Sequence, residues 1–99
     1  AAVDPSGLIV EKQAKIATDQ IIAKCKNQTG QDLSMASFLV SYYSGDQLVG
    51  TQTASIGDIC DGQEFVVNAG LLYDGWYENE LEYDSYTIEP ISADALAQG

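Results

Sequence analysis

The side chains of this chain that could do chemistry are carboxylates, tyrosines and two thiols, and many of them are gathered in one place. Residues 71–86, LLYDGWYENELEYDSY, hold five carboxylates, four tyrosines and the only tryptophan, with no positive charge among them. Aromatic faces stack on sugars and carboxylates accept hydroxyl protons, so Tyr73, Asp74, Trp76 and Tyr77 are candidate ligand-binding residues for a glycan or a protein surface. A β-sandwich buries a tryptophan as a core anchor just as readily, and that alternative stays open for Trp76.

Calcium is the second chemistry to weigh, because it takes six to eight oxygen ligands. Glu78, Glu80 and Glu82 would point to one face of a strand about 6.6–7 Å apart, too far for three side chains on a flat strand to close on one ion. They read instead as a solvated face, with Leu81 and Tyr83 turned to the core. Candidate Ca2+ ligands borne on loops are Asp58, Asp61 and Asp74, which could converge at one end of a sandwich. The run Asp58-Ile59-Cys60-Asp61-Gly62 lacks the alternating acids of an EF-hand loop, and Asp61-Gly62 and Asp74-Gly75 are equally ordinary turn dipeptides.

Other chemistries are closed off by composition. There is no histidine, which removes the usual nucleophile triads and most zinc sites. Two cysteines cannot make a four-thiolate site, and no glycine-rich phosphate loop is present. A carboxylate pair of the glycosidase kind would need a cleft that a 99-residue chain seldom offers, so the expected role is non-catalytic. Cys25 and Cys60 are a candidate disulfide that would close a loop of about 36 residues, worth roughly 3–4 kcal/mol on the chain-entropy model. Cys25 falls on the buried side of a strand and Cys60 at a polar turn, a poor pairing by geometry.

The net charge of −11 is unevenly placed. All four basic residues, Lys12, Lys15, Lys24 and Lys26, lie in the first 26 positions, and twelve acids follow from Asn27 onward without one base. Such a surface repels phosphate backbones and anionic headgroups, so no nucleic acid partner is expected. No run approaches the roughly 20 apolar residues of a membrane span, so no membrane insertion of this segment is expected either. The first residue is not Met, and no charged-then-apolar leader is present, as in a mature or trimmed region whose signal or lipid-anchor segment lies outside it.

These residues must be held by strands. Asp4-Pro5-Ser6-Gly7 reads as a turn before a strand that begins at Leu8-Ile9-Val10. In Gln20–Lys26, Ile21, Ala23 and Cys25 share one face while Lys24 and Lys26 take the other, and Asn27-Gln28-Thr29-Gly30 ends the strand with turn chemistry. Asn27-Gln28-Thr29 also matches the N-glycosylation pattern, although its place after a strand already explains it. Met35–Tyr43 puts Phe38, Val40 and Tyr42 on one face and Ser37 and Ser41 on the other. Ser44-Gly45-Asp46-Gln47 is a hairpin turn, and Leu48–Thr53 is the returning strand.

Ile56–Gly62, with two glycines and two aspartates in seven positions, reads as a loop. Glu64–Val67 is a further strand that ends or bends at Asn68-Ala69-Gly70. Tyr86–Ile91 is the last, placed at an edge or stopped by Pro90. Short strands with turn signals every 8–12 residues predict a single all-β domain over 1–99, an antiparallel β-sandwich of six or seven strands. Residues 1–7 are expected to be a linker or trimmed region, and 93–99 a flexible tail.

The central segment also carries a pattern. A strand ends in Lys26-Asn27 before a short polar turn, and a long strand ends in the aromatic pair Tyr42-Tyr43. A hairpin returns through Val49-Gly50-Thr51, and Ile59 stands two before Asp61-Gly62 and an alternating strand. Over roughly Lys24 to Val67 this resembles the FxLYD and related Ig-like domains of bacterial secreted proteins and lipoproteins, with Tyr42-Tyr43-Ser44 where that family has Leu-Tyr-Asp. The resemblance implies an Ig-like sandwich, extracellular or anchored at a bacterial cell surface, in a binding or spacer role and with no catalytic residues to carry over. The alternative is a calcium-stabilised or glycan-binding adhesion module that uses the acidic loops and exposed aromatics. Oligomeric state is left open.

Overall fold

The structure is a computed structural model that describes residues 2–15, 21–69 and 83–96. In chain order the elements are β1 (Ala2–Val3), a 3-10 turn (Pro5–Gly7), β2 (Leu8–Lys15), β3 (Ile21–Asn27), β4 (Leu33–Ser44), β5 (Gln47–Ile59), β6 (Glu64–Ala69) and β7 (Ser85–Ala95). They form two sheets, ordered β1-β7-β4-β5 and β2-β3-β6, in which neighbouring strands are antiparallel. The fold is the expected all-β sandwich, with seven strands among the described residues. No helix among them is long and apolar enough to cross a membrane.

Period-two patterning makes the core. Ile21, Ala23 and Cys25 of β3, Ala36, Phe38, Val40 and Tyr42 of β4, and Phe65, Val67 and Ala69 of β6 are all buried. Alternate residues of a strand share a face, so each strand contributes a row of apolar side chains to the layer between the sheets. Phe38 and Phe65 meet across that layer with ring centroids 6.0 Å apart and planes inclined at 55°. Each large apolar side chain so buried contributes about 1.5–3 kcal/mol relative to exposure. At the β4–β5 hairpin only Gly45 and Asp46 lie outside the strands, and Gly45 takes φ 60, the left-handed value that a type II′ turn requires at its first position.

Three expectations are corrected, one of them in part. Ile56–Gly62 is not a loop throughout, because β5 continues to Ile59, whose side chain is in the core. Its glycine and aspartate mark distortion within the strand. A Cβ at Gly57 would lie 3.1 Å from the Ser34 carbonyl oxygen, and Asp58 adopts φ 56. Pro90 does not end the last strand, since β7 runs on to Ala95, but it does lie where β7 is an edge, because among the described residues β1 pairs only with Ala93 and Asp94. It is accommodated beside a bulge: Ser37 pairs with Ser92 and Phe38 with Pro90, which leaves Ile91 over, and β1 reaches only Ala93 and Asp94. Residues 2–3 and 93–95 also belong to strands rather than to a linker and a tail. Ala2 and Val3 pair with β7, and Ala93 is buried.

Buried acidic hydrogens tie this core to pH. Burial, and then the Glu11 carboxylate, pushes the Cys25 thiol up to about 11. Burial, and then Tyr83, pushes the Tyr42 phenol above its ordinary value. The native state holds these protons while the unfolded chain gives them up. The Cys25 contribution is therefore whole below about pH 9 and is lost as pH rises toward 11. The urea midpoint should fall across that range, and Cys25→Ala, though less stable at neutral pH, should fall less steeply. An equal slope in the variant would remove Cys25 from the linkage.

Candidate functional site

The end of the sandwich where β3 stops and β4 starts gathers the polar loops. Asn27, the last residue of β3, is wholly buried. Its Nδ2 donates to the carbonyls of Gln31 at 2.9 Å and Cys60 at 3.1 Å. Its Oδ1 accepts from the Thr29 amide at 3.1 Å and the Thr29 hydroxyl at 2.7 Å. The backbone joins in, with Asn27 N–H donating to the Gln63 carbonyl and Gly62 N–H to that of Asn27. All four side-chain positions of the amide are used. Asn27 is thus more than the turn residue its sequence suggested, and its nitrogen is committed and out of reach of glycosylation in the folded chain. Ile21, Ala23 and Cys25 point inward, and the same alternation carried one step further would have placed Asn27 inward too.

Around this knot lies an open cleft of about 290 Å³ lined by Gly30, Gln31, Asp32, Asp61, Ala95 and Leu96. A smaller recess of about 100 Å³ adjoins Asp32, Asp58 and Cys60. Two of the three candidate calcium ligands, Asp58 and Asp61, are therefore at this end, with side chains exposed. Asp74 lies outside the described residues. Its nearest described neighbours in sequence, Ala69 and Tyr83, lie at the opposite end, where Ala69 pairs with Ile21 and Ser85 with Tyr43. Asp32, which the sequence did not single out, is the acid that engages Asp61: its Oδ1 accepts the Asp61 N–H at 2.8 Å. That bond caps a turn. Among the described residues no three His, Cys, Asp or Glu side chains converge as a metal site.

Tyr73, Asp74, Trp76 and Tyr77, the candidate ligand residues, lie outside the described residues, as do Glu78, Glu80, Leu81 and Glu82. Tyr83 is described and does turn inward. It packs on the core with its ring centroid 4.8 Å from that of Tyr42, at 63°. The candidate disulfide is not formed. Cys25 and Cys60 are both free thiols, one buried in β3 and the other exposed. Compared with protein-family models, curated proteins and solved structures, the chain gives no match.

Two outcomes follow from this geometry. Asn27→Ala strands the Gln31 and Cys60 carbonyls and should cost about 3 kcal/mol in urea unfolding. Asn27→Asp should cost more at pH 7, because a carboxylate has no N–H to give, and should recover part of the loss at pH 4 as the carboxyl is protonated. Equal stability of Asn27→Ala and the parent would show that the knot is dispensable. A maleimide should modify one thiol, Cys60, in the native protein and two in urea. Rapid native labelling of Cys25 would contradict its burial.

Proposed function

We propose that this chain is a non-catalytic, extracellular or cell-surface binding module, held at one end and presenting the other. The observation that carries this is the pairing of Ala2 with Asp94 and Val3 with Ala93. It sets residues 2 and 94 side by side, so chain leading into the sandwich and chain leading out depart from the same end. The far end then carries the Gly45-Asp46 hairpin and the attachment points Ala69 and Tyr83 of residues 70–82. The candidate ligand residues Tyr73, Asp74, Trp76 and Tyr77 belong to that connection. A spacer threaded in line would want its two ends apart, which favours binding over spacing.

The strand distribution supports an Ig-like description: β2, β3 and β6 share one sheet and β4 and β7 the other, as strands A, B, E and C, F do in immunoglobulin domains. The resemblance to FxLYD-like domains supports the secreted, bacterial setting. Every described Asp and Glu is exposed, so the surface disfavours anions and suits neutral glycans or a basic protein face.

Trp76 fluorescence tests this. As part of a binding surface it should emit at solvent-like wavelengths and be quenched by acrylamide, and Trp76→Ala should change stability by no more than about 0.5 kcal/mol. A blue-shifted emission that resists acrylamide and iodide would make Trp76 a core anchor and sink the aromatic-surface reading.

A further inference from the structure

Four strands bound the two sheets, β1 and β5 in one and β2 and β6 in the other. Sheets protect their edges with short strands, charges, bulges or cover, because an open row of N–H and C=O groups templates another strand. Three of these four edges are protected. β1 has two residues, and the stretch of β7 that it leaves uncovered carries Glu89 and Pro90. β6 has six and opens with Glu64, which pairs with Lys24 at 3.0 Å. β2 carries a bulge at Glu11, between Val10 and Lys12, and the charges of both Glu11 and Lys12.

β5 differs. It is thirteen residues long and, although it bulges at Val49 and is distorted at Gly57 and Asp58, it runs in regular register from Gly50 to Ile56 and holds neither a charge nor a proline from Gln47 to Gly57. Among the described residues no strand pairs with its outer edge. We propose that the outer edge of β5 is an interaction surface that takes a second copy of this chain, β5 against β5 and antiparallel about a two-fold axis. The two four-stranded sheets would then join into one of eight strands.

Charge and symmetry choose the occupant. With a net charge of −11, most contacts between copies set acid against acid. Centred on Thr53, the two-fold pairing avoids this. Thr51 meets Ser55 and Gly50 meets Ile56 within the regular stretch, and the nearest acids of each copy, Asp46 and Asp58, lie outside it, so no carboxylate faces another there. The outward Thr51, Thr53 and Ser55 are exposed, and hydroxyl pairing on this face already occurs inside the sheet, where the Ser37 and Ser55 oxygens lie 2.9 Å apart. An isologous contact of this kind closes at two copies.

Sedimentation of the full chain tests it. The parent should approach twice its 10.6 kDa with rising concentration. Thr53→Lys sets lysine against lysine at the axis and should weaken association by roughly tenfold or more with unchanged circular dichroism. The substitution lowers the net negative charge, so nonspecific repulsion alone would drive the change the other way. In a Cys60→Ser background, Thr53→Cys should oxidise to a covalent dimer. A parent that stays monomeric to about 1 mM, or a Thr53→Lys variant that dimerises as well as the parent, overturns the proposal.

Discussion

The buried side-chain amide of Asn27 is the interaction that the near end of the sandwich depends on. It sits at the end of β3, in the three-stranded sheet, and reaches the carbonyls of Gln31, just before β4, and Cys60, just after β5. The two sheets are thus bonded to each other as well as packed. A buried amide is costly unless its donors and acceptor are met, and here all are. Aspartate lacks the donors and leucine lacks everything, so the position tolerates little. The surroundings close tightly on it: Gln28 N–H donates to the Gly7 carbonyl at 2.8 Å, and a Cβ on Gly7 would come within 2.8 Å of the Thr29 Cα. The 3-10 turn that brings the chain into β2 is therefore seated directly on the loop that Asn27 organises.

That seating explains why residues outside the expected domain core are ordered. Leu96 N–H donates to the Asp32 carbonyl at 2.9 Å, which fastens the end of β7 to the loop before β4. β1 then pairs with β7. Order spreads outward from the loop cluster to both ends of the described chain through backbone bonds, and backbone bonds leave little trace in residue type.

The same distinction separates what was legible from what was not. Ile21, Ala23, Cys25, Phe38, Val40 and Tyr42 could be placed inward because burial and pleat share a period of two, and the hairpin because Gly45 meets a backbone need that few residues meet. The extent of β5 was not legible, since Gly57 and Asp58 carry turn chemistry while serving to bend a strand. Pro90 was legible in part: it lies on an open stretch of β7, as expected, but it does not stop the strand. A proline excludes a ladder donor at one position only, and the bulge at Ile91 with the shortness of β1 supplies such a position on β7. Asp32 was overlooked because its role depends on Asp61, 29 residues away, and nothing local announces that pairing.

The carboxylates can be sorted by what they touch. Asp4 accepts the Ser6 N–H at 3.0 Å and caps the 3-10 turn, and that bond holds its carboxyl below the ordinary range. Asp32 caps the Asp61 turn. Asp84 accepts the Gly45 N–H at 2.9 Å, so the residue before β7 steadies the β4–β5 hairpin. Glu64 answers Lys24, which lies opposite Lys12 in the β2–β3 register and needs an anion beside it. Long strands joined by short turns leave backbone N–H groups that no ladder satisfies, and an exposed carboxylate is a strong acceptor for them. Three of the described carboxylates, Asp4, Asp32 and Asp84, thus serve the turns of the architecture. For these three the backbone already accounts for the acid, so a carboxylate in this chain is a weaker sign of a site than an aromatic side chain.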